Sequence, residues 1–177
     1  MREKKATTRA LTCGLAMLLF LCGCTQPGSK APAMAHWDYS PPLRGDGMHI
    51  ALINAAGEQN MLQLYCHEPS KDLVLQVAPK NIAGDASEQT LSLAYDGGSP
   101  ALQHWRAEMY EGRFFDFSLG RDEPGFDSLV RDLKTHRSVD LVISTSGKEV
   151  RRDTFSLDRA AEMIDRVLAI CGHPIST

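Results

Sequence analysis

The sequence lacks the patterns by which most catalytic and metal-binding sites are recognised. It has no G-x-S-x-G motif around a serine, and its six histidines show no H-E-x-x-H or comparable metal-ligand spacing. Its Gly-rich turn at Asp96-Gly97-Gly98 lacks the Lys-Ser/Thr that completes a phosphate-binding loop. We therefore predict a protein that is not an enzyme and that has no catalytic residues, no metal site and no cofactor.

A long apolar run is missing as well. The apolar stretch from Leu11 to Leu21 is shorter than the ~20 residues that a bilayer-spanning helix needs, and it follows a basic segment, as in an export signal. It leads into Leu21-Cys22-Gly23-Cys24, which resembles the bacterial lipobox. The resemblance implies that residues 1–23 are a lipoprotein signal peptide and that Cys24 carries lipid. An uncleaved anchor or an ordinary secretory signal is the alternative.

Lipid on Cys24 would hold the protein at a membrane without a transmembrane helix. Thr25 stands where an Asp signals retention in the inner membrane in enterobacterial-type sorting. We therefore predict a location in the bacterial cell envelope, at the outer membrane and facing the periplasm.

Basic residues are scarce once the signal peptide is removed. The remaining chain has 15 basic and 21 acidic residues, a net charge of −6. Nucleic-acid binding usually needs a basic face, so nucleic acid is excluded as a partner.

Few cysteines remain after export and lipidation. Of the five in the chain, only Cys66 and Cys171 lie beyond the signal peptide and the lipid site. Neither belongs to a C-x-x-C motif or a His/Cys cluster, which argues against a redox or zinc site. Two thiols in an oxidising compartment tend to pair, so we predict a Cys66–Cys171 disulfide; two buried free thiols are the alternative.

Residues 24–47 are predicted to form the lipidated N-terminus and a Pro-rich tether, because several prolines there break any helix or central strand. The aromatic patch His36-Trp37-Asp38-Tyr39 is expected to dock on the domain, and partner binding is the alternative. Residues 48–177 are predicted to form a single β-rich globular domain, in keeping with the usual size of one domain.

Short apolar segments with strand character predict most of this domain. They cover residues 48–53, 62–66, 73–77, 91–95, 101–109, 113–117, 139–143 and 150–155. The Asp96-Gly97 pair predicts a tight turn between two strands. Helical periodicity predicts a short helix at 124–133 and a terminal helix capped by Ser156 and ended by Gly172.

The predicted fold class is α+β. It consists mainly of an antiparallel β sheet or sandwich, with a short middle helix and a C-terminal helix tied by the disulfide. The alternation of apolar residues places Cys66 on the buried face of its strand. The apolar stripe of the terminal helix, which includes Cys171, consists of Leu157, Ala161, Ile164, Leu168 and Cys171.

Three clusters carry weaker signals of chemistry. His67-Glu68 fits a solvated turn better than a metal site. Asp116 and Asp122 are carboxylates of the kind that glycoside hydrolases use, but sequence spacing does not give their separation in space. Lys148 and Arg151-Arg152 form a basic spot that fits the polar face of an edge strand, with an anionic partner as the alternative.

From Leu62 to Gly172 the features follow a definite order. They are a strand ending in Cys66, the Asp96-Gly97 turn, Trp105, a short helix with Phe126 and Leu129, a penultimate strand, and Phe155-Ser156-Leu157 before a terminal helix that reaches Cys171. This order resembles the periplasmic accessory proteins of type VI secretion of the TagO or VasI kind. Members of that family have a small residue, often Gly, where this chain has Asp158-Arg159.

Two classes of function follow. The first is a membrane-anchored periplasmic lipoprotein that binds an unidentified envelope protein without catalysis, with a secretion-system accessory as the role that the resemblance implies. The second is an immunity or inhibitor lipoprotein that blocks a lysozyme-like or other envelope-targeting hydrolase. The acidic net charge favours the second class, since many muramidases are basic and opposite charge raises association rates. An enzyme acting on envelope polymers is a third and weaker alternative.

Overall fold

Ten strands and two α-helices make up the described part of the chain. The computed structural model describes residues 36–43, 45–55, 60–79, 86–110 and 114–176, so the predicted signal peptide at residues 1–23 and the predicted lipid site Cys24 lie outside it. The strands are β1 (Asp38–Ser40), β2 (Met48–Asn54), β3 (Asn60–His67), β4 (Asp72–Pro79), β5 (Gln89–Tyr95), β6 (Ala101–Gln103), β7 (Arg106–Tyr110), β8 (Phe114–Gly120), β9 (Ser138–Thr145) and β10 (Lys148–Ser156). The helices are α1 (Phe126–Thr135) and α2 (Ala160–Cys171), and a 3-10 turn at Ala86–Glu88 precedes β5.

The strands form two antiparallel sheets. Sheet A has six strands in the order β1-β2-β3-β4-β8-β7, and sheet B has four in the order β10-β9-β5-β6.

Two tight turns lie in the chain, one directly after β5 and one between β9 and β10. Asp96-Gly97 has φ of 50° and 76°, and Ser146-Gly147 has φ of 49° and 77°. Two successive positive φ angles are what a type I′ turn requires, so the predicted Asp-Gly turn is confirmed.

One face of each sheet is buried. Along β3, buried residues alternate with half-buried ones from Asn60 to His67, which is the pattern of a strand with one face on a core. Helix α2 packs against β2 and β3, and α1 packs against α2. Buried side chains from both sheets and both helices form one hydrophobic core. The predicted α+β class, mainly antiparallel with a middle and a C-terminal helix, is confirmed.

The predicted disulfide is present and joins the last helix to sheet A. Cys66 on β3 and Cys171 at the end of α2 have a Cα–Cα distance of 5.9 Å and lie 105 residues apart in sequence. Their residues are 0 % and 4 % exposed, so the bridge lies within the core. A closed loop of this size stabilises the folded state by about 4–5 kcal/mol in the chain-entropy model.

The folded domain begins earlier than the predicted boundary at residue 48. Trp37 is 0 % exposed, and its backbone N–H donates to the carbonyl of Asp158. The next residues form β1, where Tyr39 lies opposite Ala51 of β2. The aromatic patch therefore docks on the domain as expected. The predicted domain start at residue 48 was wrong, because Asp38–Ser40 already pair with β2 and Pro41-Pro42 follow this short strand without interrupting it.

The predicted strand at residues 101–109 is divided between the two sheets. Its first part is β6, paired with β5 in sheet B, and its second part is β7, paired with β8 in sheet A. Trp105 lies between the two parts and packs in the core with 9 % exposure. The chain thus changes sheets at this tryptophan, which apolar alternation does not reveal.

The helices differ from their predictions mainly at their starts. Helix α1 begins two residues later than expected, at Phe126. Helix α2 begins at Ala160, with Arg159 in the left-handed region as its N-cap, whereas Ser156 Oγ accepts a hydrogen bond from the N–H of Asp158 before the helix. Ala161 of the predicted apolar stripe is only half-buried. No helix in these described ranges is long and apolar enough to cross a membrane.

Candidate functional site

The face of sheet A that points away from the core is the candidate site, and we call it the outer face. Its central positions are occupied by alternate residues of β2, β3 and β4, none of which is fully buried. They are Ile50, Leu52, Met61, Gln63, Tyr65, Val74, Gln76 and Ala78. The register places these residues side by side, with Leu52 opposite Gln63 and Gln63 opposite Gln76.

The composition of the outer face is unusual for a strand surface in contact with water. A sheet with one solvated face normally alternates apolar residues on the core side with polar residues on the other. Here the central outer positions are aliphatic, aromatic, methionine or amide, and none of these side chains carries a charge. Depletion of charge together with aromatic and methionine side chains is typical of the centre of a protein interface. The outer face therefore has the character of a binding surface.

A row of hydrogen-bonded side chains crosses the outer face. Gln63 Nε2 donates to Gln76 Oε1, and Gln76 Nε2 donates to Asp116 Oδ2 on β8. An ionised carboxylate only accepts hydrogen bonds, so Asp116 fixes the orientation of both amides. The row thereby directs the remaining acceptor, Gln63 Oε1, away from Gln76. A partner would meet hydrogen-bonding groups that are already oriented.

Asp116 is the titratable group at the end of this row. Burial raises the pKa of Asp116, and the negative charge of Glu108 raises it further, whereas the hydrogen bond from Gln76 lowers it in part. Asp116 Oδ1 is buried and has no hydrogen-bond partner among the described residues. A buried acceptor without a donor is unfavourable, so a donor supplied by a partner would stabilise this group.

Negative charge is concentrated at the β7 side of the same face. Glu108 on β7 lies directly opposite Asp116 on β8, and like charges in such cross-strand positions are destabilising. Arg106 offsets part of this charge, since its guanidinium contacts both Glu108 and Glu123 at 3.1 and 3.0 Å. The outer face is thus neutral and apolar in its middle and acidic near β7.

The remaining polar groups that the sequence singled out have local partners. Asp122 is exposed beside Arg121, and it is not part of the row that contains Asp116. His67 Nδ1 lies 2.8 Å from Ser70 Oγ in the turn after β3, as expected of a solvated turn.

The predicted basic spot on β10 is divided between the two faces of its sheet. Arg151 pairs with Asp153 on the core side, while Arg152 pairs with Glu149 and Asp140 on the other side. β10 is an edge strand as expected, but only Arg152 lies on its polar face. The inward-pointing charge of Arg151 and the bulge at Glu149/Arg151 are features that protect a sheet edge from pairing with another chain.

The Gln63–Gln76–Asp116 row was not predicted from the sequence. The signal was available in part, because apolar alternation in β3 and β4 already places Gln63 and Gln76 on the side opposite the core. The missing information was the pairing of β4 with β8, which brings Asp116 beside Gln76.

Within the ranges that the structure describes, no group of three or more His, Cys, Asp or Glu side chains is arranged to hold a metal ion. No protein-family model, no curated protein and no solved structure matches the chain.

Proposed function

We propose that this chain is a periplasmic lipoprotein, anchored in the membrane through lipid on Cys24, and that it acts as a non-enzymatic protein-binding module. The observation that carries the binding proposal is the outer face of sheet A, whose central positions are apolar or amide and uncharged. The lipobox at Leu21–Cys24 supports the anchor, and the disulfide fits an oxidising compartment.

The physical basis of binding combines apolar burial with oriented hydrogen bonds. Covering half-buried side chains such as Leu52, Tyr65 and Val74 removes apolar area from water, which contributes about 25 cal/mol per Å². The Gln63–Gln76–Asp116 row supplies direction and specificity, because a partner without matching donors and acceptors leaves buried polar groups unpaired. The order of features shared with type VI secretion accessory proteins supports an accessory of a secretion machine as the role.

The test is photocrosslinking of the full-length protein in the envelope of the bacterium that encodes it. A photoreactive residue at Leu52 on the outer face is compared with one at Thr90, which is exposed on sheet B. We expect a discrete adduct with one envelope protein from position 52 and none from position 90. In addition, Val74→Arg should abolish the adduct, while its thermal unfolding midpoint should stay within a few degrees of that of the parent protein. Equal adducts from both positions would contradict the binding role of the outer face.

The second candidate is an immunity or inhibitor protein for an envelope-targeting hydrolase. The acidic pair Glu108 and Asp116 at the β7 side favours it, since a basic hydrolase surface complements that charge. If the crosslinked partner is a hydrolase, the purified protein should inhibit its turnover, and Glu108→Gln should slow association most strongly at low salt. A partner that belongs to a secretion machine and has no hydrolytic activity favours the accessory role.

A further inference from the structure

Three polar side chains form a relay where β1 meets β2, away from the outer face. Tyr39 Oη lies 2.6 Å from His49 Nδ1, and His49 Nε2 lies 3.2 Å from Glu68 Oε2. Tyr39 belongs to β1, His49 to β2, and Glu68 to the turn after β3. The side chain of His49 is 13 % exposed, that of Glu68 is 55 % exposed and Tyr39 is half-buried, so all three groups lie at or just below the domain surface.

The hydrogen bonds of this relay indicate which ring nitrogen of His49 carries the hydrogen. A carboxylate only accepts, so the Glu68 contact places the imidazole hydrogen on Nε2. His49 Nδ1 is then left with its lone pair, and the Tyr39 hydroxyl donates to it. This is the arrangement of a nucleophile, a base and a third group that orients the base, with a phenol as the nucleophile.

A cation lies over the same phenol. The guanidinium carbon of Arg166, on α2, is 3.8 Å from the centroid of the Tyr39 ring. Attraction between this positive charge and the π face holds the Tyr39 ring against α2, which helps to keep its hydroxyl beside His49. Tyr39 itself is half-buried, so part of its side chain is open to solvent.

We propose that Tyr39 is an activated nucleophile and a covalent modification site for electrophilic acyl or sulfonyl groups, with His49 as its general base. Tyr39 Oη attacks the electrophilic carbon or sulfur, a new O–C or O–S bond forms, and the bond to the leaving group breaks. His49 Nδ1 takes the phenol proton and then releases it to the departing group or to water. The product is a tyrosyl ester, and no electrons are transferred to or from another reagent. This reactivity does not depend on the proposed binding function.

The experiment exposes the full-length protein to an arylsulfonyl fluoride and follows labelling by peptide mass mapping, with N-acetyltyrosine amide in the same tube as reference. General-base assistance commonly contributes about 10²–10⁴-fold. For Tyr39 we expect labelling at least about tenfold faster than the reference, with loss of fluoride. Tyr39→Phe should remove this label.

Variants of the base separate activation from a purely structural contact. If His49 only holds β1 in place, His49→Gln frees the Tyr39 hydroxyl, and labelling stays the same or rises. If His49 is the base, labelling of Tyr39 falls by about tenfold or more. Glu68→Gln, at a mostly exposed position, should give a smaller decrease even if His49→Gln fails to fold. His67→Gln is the matched control and should leave labelling unchanged.

Labelling no faster than that of the free amino-acid amide would overturn the proposal. Unchanged or increased labelling in a folded His49→Gln variant would do so as well. The folded state of each variant is checked by its thermal unfolding midpoint and by retention of the Cys66–Cys171 disulfide.

Discussion

At the scale of single residues, Asp96 connects two distant parts of the chain. It occupies the first central position of its turn with φ of 50°. Its carboxylate accepts hydrogen bonds from the backbone N–H groups of Arg137 and Ser138 at 2.9 and 3.0 Å, and from His136 Nδ1 at 2.9 Å. The ring of His136 also stacks on Tyr95 at 4.7 Å between centroids. One side chain thus fixes the turn after β5 to the start of β9.

These contacts of the Asp96 carboxylate make the stability of the folded protein depend on pH. The hydrogen bond from His136, followed by that from the Arg137 backbone, lowers the pKa of Asp96 from 3.8 to about 2. A carboxyl group whose pKa is lower in the folded state stabilises the protein above its unfolded pKa and loses that contribution as the pH falls through the folded value. We expect Asp96→Asn to lower the thermal unfolding midpoint at neutral pH. The midpoints of the variant and the parent protein should converge as the pH falls from about 4 to about 2.

The measurement is thermal unfolding followed by circular dichroism across that pH range. Asp122→Asn is the control, because the Asp122 side chain is 89 % exposed and pairs with its neighbour Arg121. Parallel curves for Asp96→Asn and the parent at every pH would show that the carboxylate charge has no role.

At the scale of elements, the fully buried Trp37 ties the segment that contains β1 to the core. The strand has three residues, too few to hold its position by hydrogen bonds alone. Trp37 is fully buried and belongs to the core cluster. Replacing a fully buried tryptophan with alanine typically costs about 3–5 kcal/mol.

We therefore expect Trp37→Ala to lower the free energy of unfolding by about 3–5 kcal/mol in urea titrations with the disulfide intact. The adjacent His36→Ala should change it by no more than about 0.5 kcal/mol, since the side chain of His36 is 49 % exposed. A Trp37→Ala effect as small as that of His36→Ala would mean that β1 is not held by the core.

The same elements show how far sequence patterns define this fold. Strong alternation in β3, and the Gly172 stop of α2 with φ of 70°, were predicted correctly because each depends on local residues. The start of α2 was missed because Ser156 bonds to Asp158 before the helix begins. The β1 strand was missed because a pairing of three residues with β2 leaves no periodic pattern in the sequence.

At the scale of the whole molecule, the candidate site follows from register more than from composition. Gln63 and Gln76 are 13 residues apart in sequence, and Gln76 and Asp116 are 40 apart. In β2 both faces are apolar, with Leu52 on one side and Ile53 on the other. In β2, alternation therefore defines two faces without showing which one is buried, whereas in β3 it does show this. The buried face is the one against which α2 packs and to which the disulfide joins it, and both contacts link distant parts of the chain.

The proposed lipid anchor on Cys24 determines where the whole molecule lies in the cell. We expect Cys24→Ala to abolish labelling by a fatty-acid analogue and to release the protein from membranes. Cys22→Ala is the matched control and should retain both labelling and membrane association, because it places a small residue within the lipobox and leaves Cys24 in place. Persistent labelling of the Cys24→Ala protein would refute lipid attachment at this residue.

The burial of Trp37 also has a mechanical consequence. In a lipid-anchored chain held by a partner on the outer face, tension from the membrane enters the domain at residue 36. The short β1 strand bears that tension first, while the Cys66–Cys171 bridge holds β3 and α2 together behind it. Residues 36–47 span at most roughly 40 Å when fully extended, at about 3.3 Å per residue, so their release would lengthen the connection by less than that. Because β1 is the edge strand of sheet A, we expect this segment, with Trp37, to detach under load before the two sheets separate.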